Sequence, residues 1–306
     1  MNPSTNFWRN LYKASVNTQQ TQMKTKITKF AAVVILLGSL GFVTATQAQH
    51  GHDGNHKKNH DRSDQGKSFI ALTNNNVLVK GHSHRKIAWA KVTGTNENLL
   101  AIDYRPANGM LYGITSTKVY TIDENTGSAK EVSTLSFNNQ PITLNIGLES
   151  GVDFNTVVDR LRVVGSNDQN FRINVDTGAV LVDSNLNYAV GDRNAGKNPS
   201  ITAVAYTNSF AGGPDPTRTT VLYGIDYDRN VLTIQNPPNA GTLQTVGSLR
   251  VKFDRLAGFN ISEENQALAV SNSTIYEIDL SGGRVMKLAS LPKAQYIGLA
   301  VPIGPK

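Results

Sequence analysis

Between Gly109 and Val132 apolar and polar positions alternate in short bursts. Leu111-Tyr112-Gly113-Ile114 and Val119-Tyr120-Thr121-Ile122 read as two strands. Asp123–Gly127 reads as a turn, and Lys130-Glu131-Val132 starts a third strand. β-Branched and aromatic residues suit a pleated, half-buried surface, while Gly, Asn and Asp supply turn conformations. The same unit returns along the chain. Its opening strands fall near residues 101, 151, 202, 257 and 297, at spacings of 40 to 55 residues. No useful helical periodicity follows Gln49. Four short strands per period of this length predict a β-propeller.

The ends of the repeat predict how the ring closes. Tyr296–Val301 supplies an opening strand with nothing after it, and the repeat from Ser68 supplies followers without an opening strand. Pairing Ile297–Val301 with Phe69–Leu72 gives five blades and removes a sheet edge that would otherwise template aggregation. A six-bladed ring is the alternative, because Asp183–Pro199 and Asn208–Thr220 are long for plain turns. The propeller is assigned to residues 68–306.

The segment before it has a different character. Lys24, Lys26 and Lys29 precede an apolar run from Phe30 to Val43, and Thr44-Ala45-Thr46-Gln47-Ala48 follow. This charged, apolar, small-residue order predicts a signal peptide over residues 1–48, with Met23 as an alternative start. The run is shorter than the ~20 residues a spanning helix needs, so stable membrane insertion after cleavage is not expected. The expected location is secreted or periplasmic. Residues 49–67 hold no large apolar side chain and read as a disordered linker.

Composition narrows the chemistry. The full chain carries +7, but Arg9, Lys13, Lys24, Lys26 and Lys29 precede Ala48 without any acid. The remainder has 25 basic and 23 acidic residues, so nucleic acid is not an expected partner. There is no cysteine, and the six histidines all lie at or before His84. A Ser-His-Asp triad or a three-histidine zinc site cannot be built from residues 85–306. His50, His52, His56 and His60 in the linker could hold Zn2+, Cu2+ or Ni2+ through neutral imidazole; the plainer reading is a solvated tail.

Within the repeats, Asp103 and Asp153 recur at equivalent points, where Asn260 and Ala205 replace the acid. Such carboxylates could line a central channel and hold Ca2+, or serve a repeated turn role. Arg160 and Arg162 share one strand face, as do Asn170 and Arg172 on the next. Three arginines on adjacent strands could clamp a carboxylate, phosphate or sulfate; the alternative is salt bridging to Asp153, Asp159 or Asp183. Asp192, Asn194 and Asn198 in one long loop offer oxygens to Ca2+, without the glutamate that closes an EF-hand. Gln235 and Asn236 belong to a second polar loop stiffened by Pro237 and Pro238.

Three stretches carry a family resemblance: LLAIDYRPANGMLYGITS, LNYAVGDRNAGKNPSITAVAYTNSF and LYGIDYDRNVLTIQNPPNAGTLQTVG. They resemble the bacterial family with the domain of unknown function numbered 4394, over about Phe69 to Val301. Asn155-Thr156 departs from the family, which often shows a proline nearby. The resemblance implies a secreted or envelope protein and no established reaction. The favoured reading is a monomeric, non-enzymatic binding module for a small molecule or protein, using a polar rim of Arg160, Arg162, Asn170, Arg172, Asp192, Asn194, Asn198, Gln235 and Asn236. The alternatives are a carboxylate- and metal-dependent hydrolase or lyase using Asp153, Asp192 or Asp226, and metal binding by the histidine tail.

Overall fold

The computed structural model describes residues 67–82 and 85–304; the signal-peptide and histidine-tail readings lie outside them. Within them, twenty-three strands and one 3-10 turn build five blades of antiparallel core strands and a separate two-stranded hairpin. Blade 1 contains β1 (Ser68–Thr73), β2 (Val77–His82) and β3 (Arg85–Lys91). Blade 2 contains β4 (Ala101–Tyr104), β5 (Leu111–Ile114), β6 (Lys118–Ile122) and β7 (Ala129–Thr134). The hairpin β8 (Ser136–Phe137) and β9 (Gln140–Pro141) leads to blade 3. That blade holds β10 (Ser150–Asn155), β11 (Arg160–Gly165), β12 (Asn170–Ile173) and β13 (Val180–Val182).

Blade 4 follows β14 (Asn187–Tyr188) and comprises β15 (Ile201–Tyr206), β16 (Leu222–Asp226), β17 (Val231–Gln235) and β18 (Thr242–Ser248). Blade 5 is β19 (Ala257–Ile261), β20 (Ala267–Ser271), β21 (Thr274–Ile278) and β22 (Val285–Ser290). The last strand, β23 (Tyr296–Ala300), returns to blade 1 and pairs with β1, placing Ile70 opposite Ala300 and Ala71 opposite Leu299. The ring therefore closes with strands from both ends of the repeat region, as the sequence predicts. The sixth blade of the alternative reading is absent among the described residues. Part of Asp183–Pro199 becomes β14, which adds to the outer edge of blade 4 in parallel with β18. The other long stretch becomes a loop, described below.

Position within a blade sets the residue pattern. The innermost strands β4, β10, β15, β19 and β23 lie between two neighbouring blades, and nearly every side chain in them is buried. They accordingly read as near-continuous apolar runs. The outermost strands β7 and β22 touch solvent and hold no fully buried residue. The blades approach closely because each innermost strand carries a small residue at one shared position: Ala101, Gly151, Ala203, Gly258 and Gly298. A Cβ on Gly258 would sit 2.4 Å from the Gly298 carbonyl carbon, and one on Gly151 would sit 2.5 Å from the Val204 nitrogen. The axial throat between these strands leaves only about 10 Å³.

Candidate functional site at the propeller axis

Two residues beyond each small position, along the innermost strands, stand Asp103, Asp153, Ala205, Asn260 and Ala300. The polar three meet at the axis, joining blades 2, 3 and 5. Asn260 Nδ2 donates to Asp103 Oδ1 at 2.8 Å and to Asp153 Oδ2 at 3.2 Å. Asp103 Oδ2 also accepts the Phe154 amide, and Asp153 Oδ1 accepts the Tyr206 amide. Each carboxylate thus pins the innermost strand of the next blade. Burial pushes the Asp103 carboxyl up to about 7, against the opposing pull of its backbone hydrogen bonds. Burial, and then the neighbouring Asp103, raise Asp153 well above the usual carboxylate range.

A loop closes this end of the axis. Residues 207–221 leave β15 directly after Tyr206 and cross to three other blades. Gly212 N donates to Pro106 O at 2.8 Å. Asn208 and Asn265 exchange two hydrogen bonds, and the Thr156 hydroxyl donates to Asn208 O. Arg218 braces the loop from within by donating to the Phe210 and Ala211 carbonyls. Beneath it Asp103, Asp153 and Asn260 are only 5%, 1% and 5% exposed.

The opposite end is open. A cavity of about 450 Å³ is lined by residues that directly precede innermost strands: Leu148 and Glu149 before β10, Arg255 and Leu256 before β19, and Gln295 before β23. Ser166 and Asn167, from the β11–β12 turn, complete the wall. Arg255 Nη1 reaches across the mouth to Glu149 Oε1 at 3.0 Å, and the Ser166 hydroxyl holds the other Glu149 oxygen at 3.1 Å. Just inside the throat the Ser150 hydroxyl is buried with no hydrogen-bond partner among the described residues. A cavity of similar size, about 470 Å³, opens beside Met110 and Glu124. There Glu124 is already held by both Tyr104 and Lys80.

The structure brings four of the rim residues into one cluster between blades 3 and 4. Arg162 is 2% exposed and donates to Asp183 (2.6 Å), Asn170 (2.8 Å), Asn239 (2.6 Å) and the Tyr206 hydroxyl (3.3 Å). Arg172 binds both oxygens of Asp183 at 2.8 Å. Gln235 Nε2 donates to Pro238 O, while its Oε1 is buried without a partner among the described residues. Arg160 lies apart and donates to the carbonyls of Val158 and Asp159. Asn236 is exposed beside this cluster.

The third group also sits apart. Asp192 accepts the amides of Asn194 and Thr245, and Asn194 Nδ2 binds the Thr245 hydroxyl. Asn198 turns instead to Asp168, 3.4 Å away, whose carboxyl burial raises to about 6. Asp226 accepts the Tyr188 hydroxyl and the Arg229 amide. Asp153, Asp192 and Asp226 therefore belong to three separate hydrogen-bond networks. Among the described residues no three His, Asp or Glu side chains converge as a metal site.

Sequence reasoning missed Glu149, Arg255, Asn167 and Gln295 at the open mouth. The available signal was positional, since three of them occupy the last residues before an opening strand. It also missed Arg105, which is 8% exposed and holds Asp159 and Asp176 with paired bonds that tie blade 2 to blade 3.

The profile of the domain of unknown function DUF4394 matches residues 77–300, and the chain, a five-bladed propeller, belongs to this family. A search of the curated proteins finds no match. Among solved structures the chain is similar to a structural genomics protein of unknown function from Bacteroides thetaiotaomicron VPI-5482, at 17% identity and a TM-score of 0.44, covering 76% of this chain and 60% of that one. It is also similar to an inactivated virginiamycin B lyase from Staphylococcus aureus with quinupristin, at 12% identity and TM-score 0.39, over 76% and 73%. A third is in a nidogen/laminin complex, at 10% identity and TM-score 0.44, over 78% and 99%. No activity is carried over from these likenesses.

Proposed function

We propose that this propeller is a binding module that receives a small molecule, or a protruding peptide segment, at the open end of its axis. One observation carries the reading: a cavity of about 450 Å³, built from blades 1, 3 and 5, lies over the axis where the other end is covered. The volume falls within the range of ordinary ligand sites. Leu148 and Leu256 give it an apolar floor, and Glu149, Arg255, Asn167 and Gln295 provide hydrogen bonds of both senses. Such a wall suits a ligand with one flat apolar part and a few polar groups. The charged, apolar, small-residue order of residues 24–48 supports action outside the cytoplasm.

The polar rim enters this reading with reduced reach. Arg162 has spent its donors internally, whereas Arg160, Arg172 and Asn236 retain exposure. The test is a thermal-shift and NMR screen of a small-molecule library, repeated on Glu149→Gln, Arg255→Ala and an Arg160→Ala/Arg172→Ala pair. Hits should lose at least about tenfold in affinity in the mouth variants, the worth of one charge-assisted hydrogen bond. Hits that ignore both mouth variants and fail with the arginine pair would move the site to the rim.

A further inference from the structure

The closed end holds two carboxylates to which no cationic side chain is bonded among the described residues. Asp103 and Asp153 face each other through a single amide, Asn260 Nδ2, whose two hydrogens they divide. The charged groups of the surrounding strands are turned elsewhere. Arg105, just beyond β4, is committed to Asp159 and Asp176. Arg162, opposite Asp153 in the β10–β11 ladder, is committed to Asp183. Tyr112 stands opposite Asp103, and its hydroxyl accepts from Arg105. The two remaining blades contribute only Ala205 and Ala300 at this level, and β19 contributes Asn260 itself. Two full negative charges in so dry a place would repel strongly and lose their hydration, so the arrangement favours the protonated pair.

The covering loop is anchored beside these groups. It begins at Tyr206, whose amide Asp153 holds. It is tied to Pro106, three residues from Asp103, and to Asn265, on the turn that follows β19. Its contact with Thr156 lies two residues beyond Phe154, whose amide Asp103 holds.

We propose that Asp103, Asp153 and Asn260 form a proton-held latch: protonation of the carboxyl pair keeps blades 2, 3 and 5 together, and its ionisation releases the loop of residues 207–221. The direction with pH follows from linkage. A carboxyl whose pKa is higher in the folded than in the unfolded chain stabilises the fold fully below its ordinary value of 3.8. That contribution is lost as pH rises through the folded value of about 7. Asp168 titrates in the same direction, to about 6, but lies outside the axis and is common to every variant compared.

The test compares thermal unfolding of the wild type and Asp103→Asn from about pH 4 to about pH 8, a range spanning 3.8 and about 7. The wild type should lose about 5–10 °C more than the variant over this range. Parallel profiles would overturn the latch. A second measurement on the unaltered protein keeps the idea exposed if the variant fails to fold. Carbon-13 carboxyl titration by NMR should show Asp103 protonated until about pH 7 and Asp153 protonated above the ordinary carboxylate range. Amide exchange at Gly212, corrected for its intrinsic pH dependence, should accelerate over the same range. Ionisation of both carboxyls near the ordinary 3.8, or unchanged protection of Gly212, would sink the proposal.

Discussion

The two ends of the axis solve opposite problems with similar residues. At the closed end, polar side chains from three blades point inward, bond one another and lie beneath a loop. At the open end, polar side chains from three blades surround a cavity, and Arg255, whose side chain is 64% exposed, spans the mouth to Glu149. The contrast separates what holds the ring from what is free to meet a ligand. Buried polar groups are costly to disturb because each lost partner leaves another group unsatisfied. An exposed ion pair adds little stability and is readily exchanged for a ligand group.

Substitutions along the axis should grade accordingly. The largest loss is expected between the two ends, with Gly258→Val. Its side chain would run into the backbone of Gly298 and Leu299, and overpacking of this kind costs about 3 kcal/mol or more. Chemical denaturation, or failure to obtain soluble protein, reads it out; an unchanged midpoint would show that the blades can part. Asn260→Ala at the closed end should cost about 2 kcal/mol, since it removes the amide both carboxylates share.

Asn265→Ala should cost about 1 kcal/mol. It removes both bonds to Asn208 and should speed amide exchange in residues 207–221 while the blade strands stay protected. The smallest stability change belongs to the open end. Arg255→Ala should shift stability by less than about 0.5 kcal/mol while weakening library hits at the mouth. A large destabilisation there would dissolve the distinction between the ends.

Much of the architecture was legible because each blade repeats one local solution. Tyr296–Ala300 announced itself as an orphan opening strand, and its only useful partner was the orphan edge at Ser68–Thr73. The equivalence of Asp103, Asp153 and Asn260 was also visible, since a repeated fold puts equivalent positions at one level of the axis. Their mutual contact was not visible, because spacing gives the level and not the distance. Arg162 is the sharper case. Alternation correctly put it on one face with Arg160, but Tyr206 and Asn239 of blade 4 cover one arginine and not the other. The loop of residues 207–221 follows no period, and its partners Pro106 and Asn265 are remote in sequence.

By itself, then, the sequence determined the main strands, the repeat and the closure of the ring. These are properties of local pattern, and hydrophobic periodicity with turn chemistry encodes them directly. Only the tertiary structure decided which end of the axis is covered, which arginines are spent inside, and that two carboxylates from different blades face one amide. Those outcomes depend on side chains brought together from distant repeats, where packing sets burial and burial sets the cost of charge.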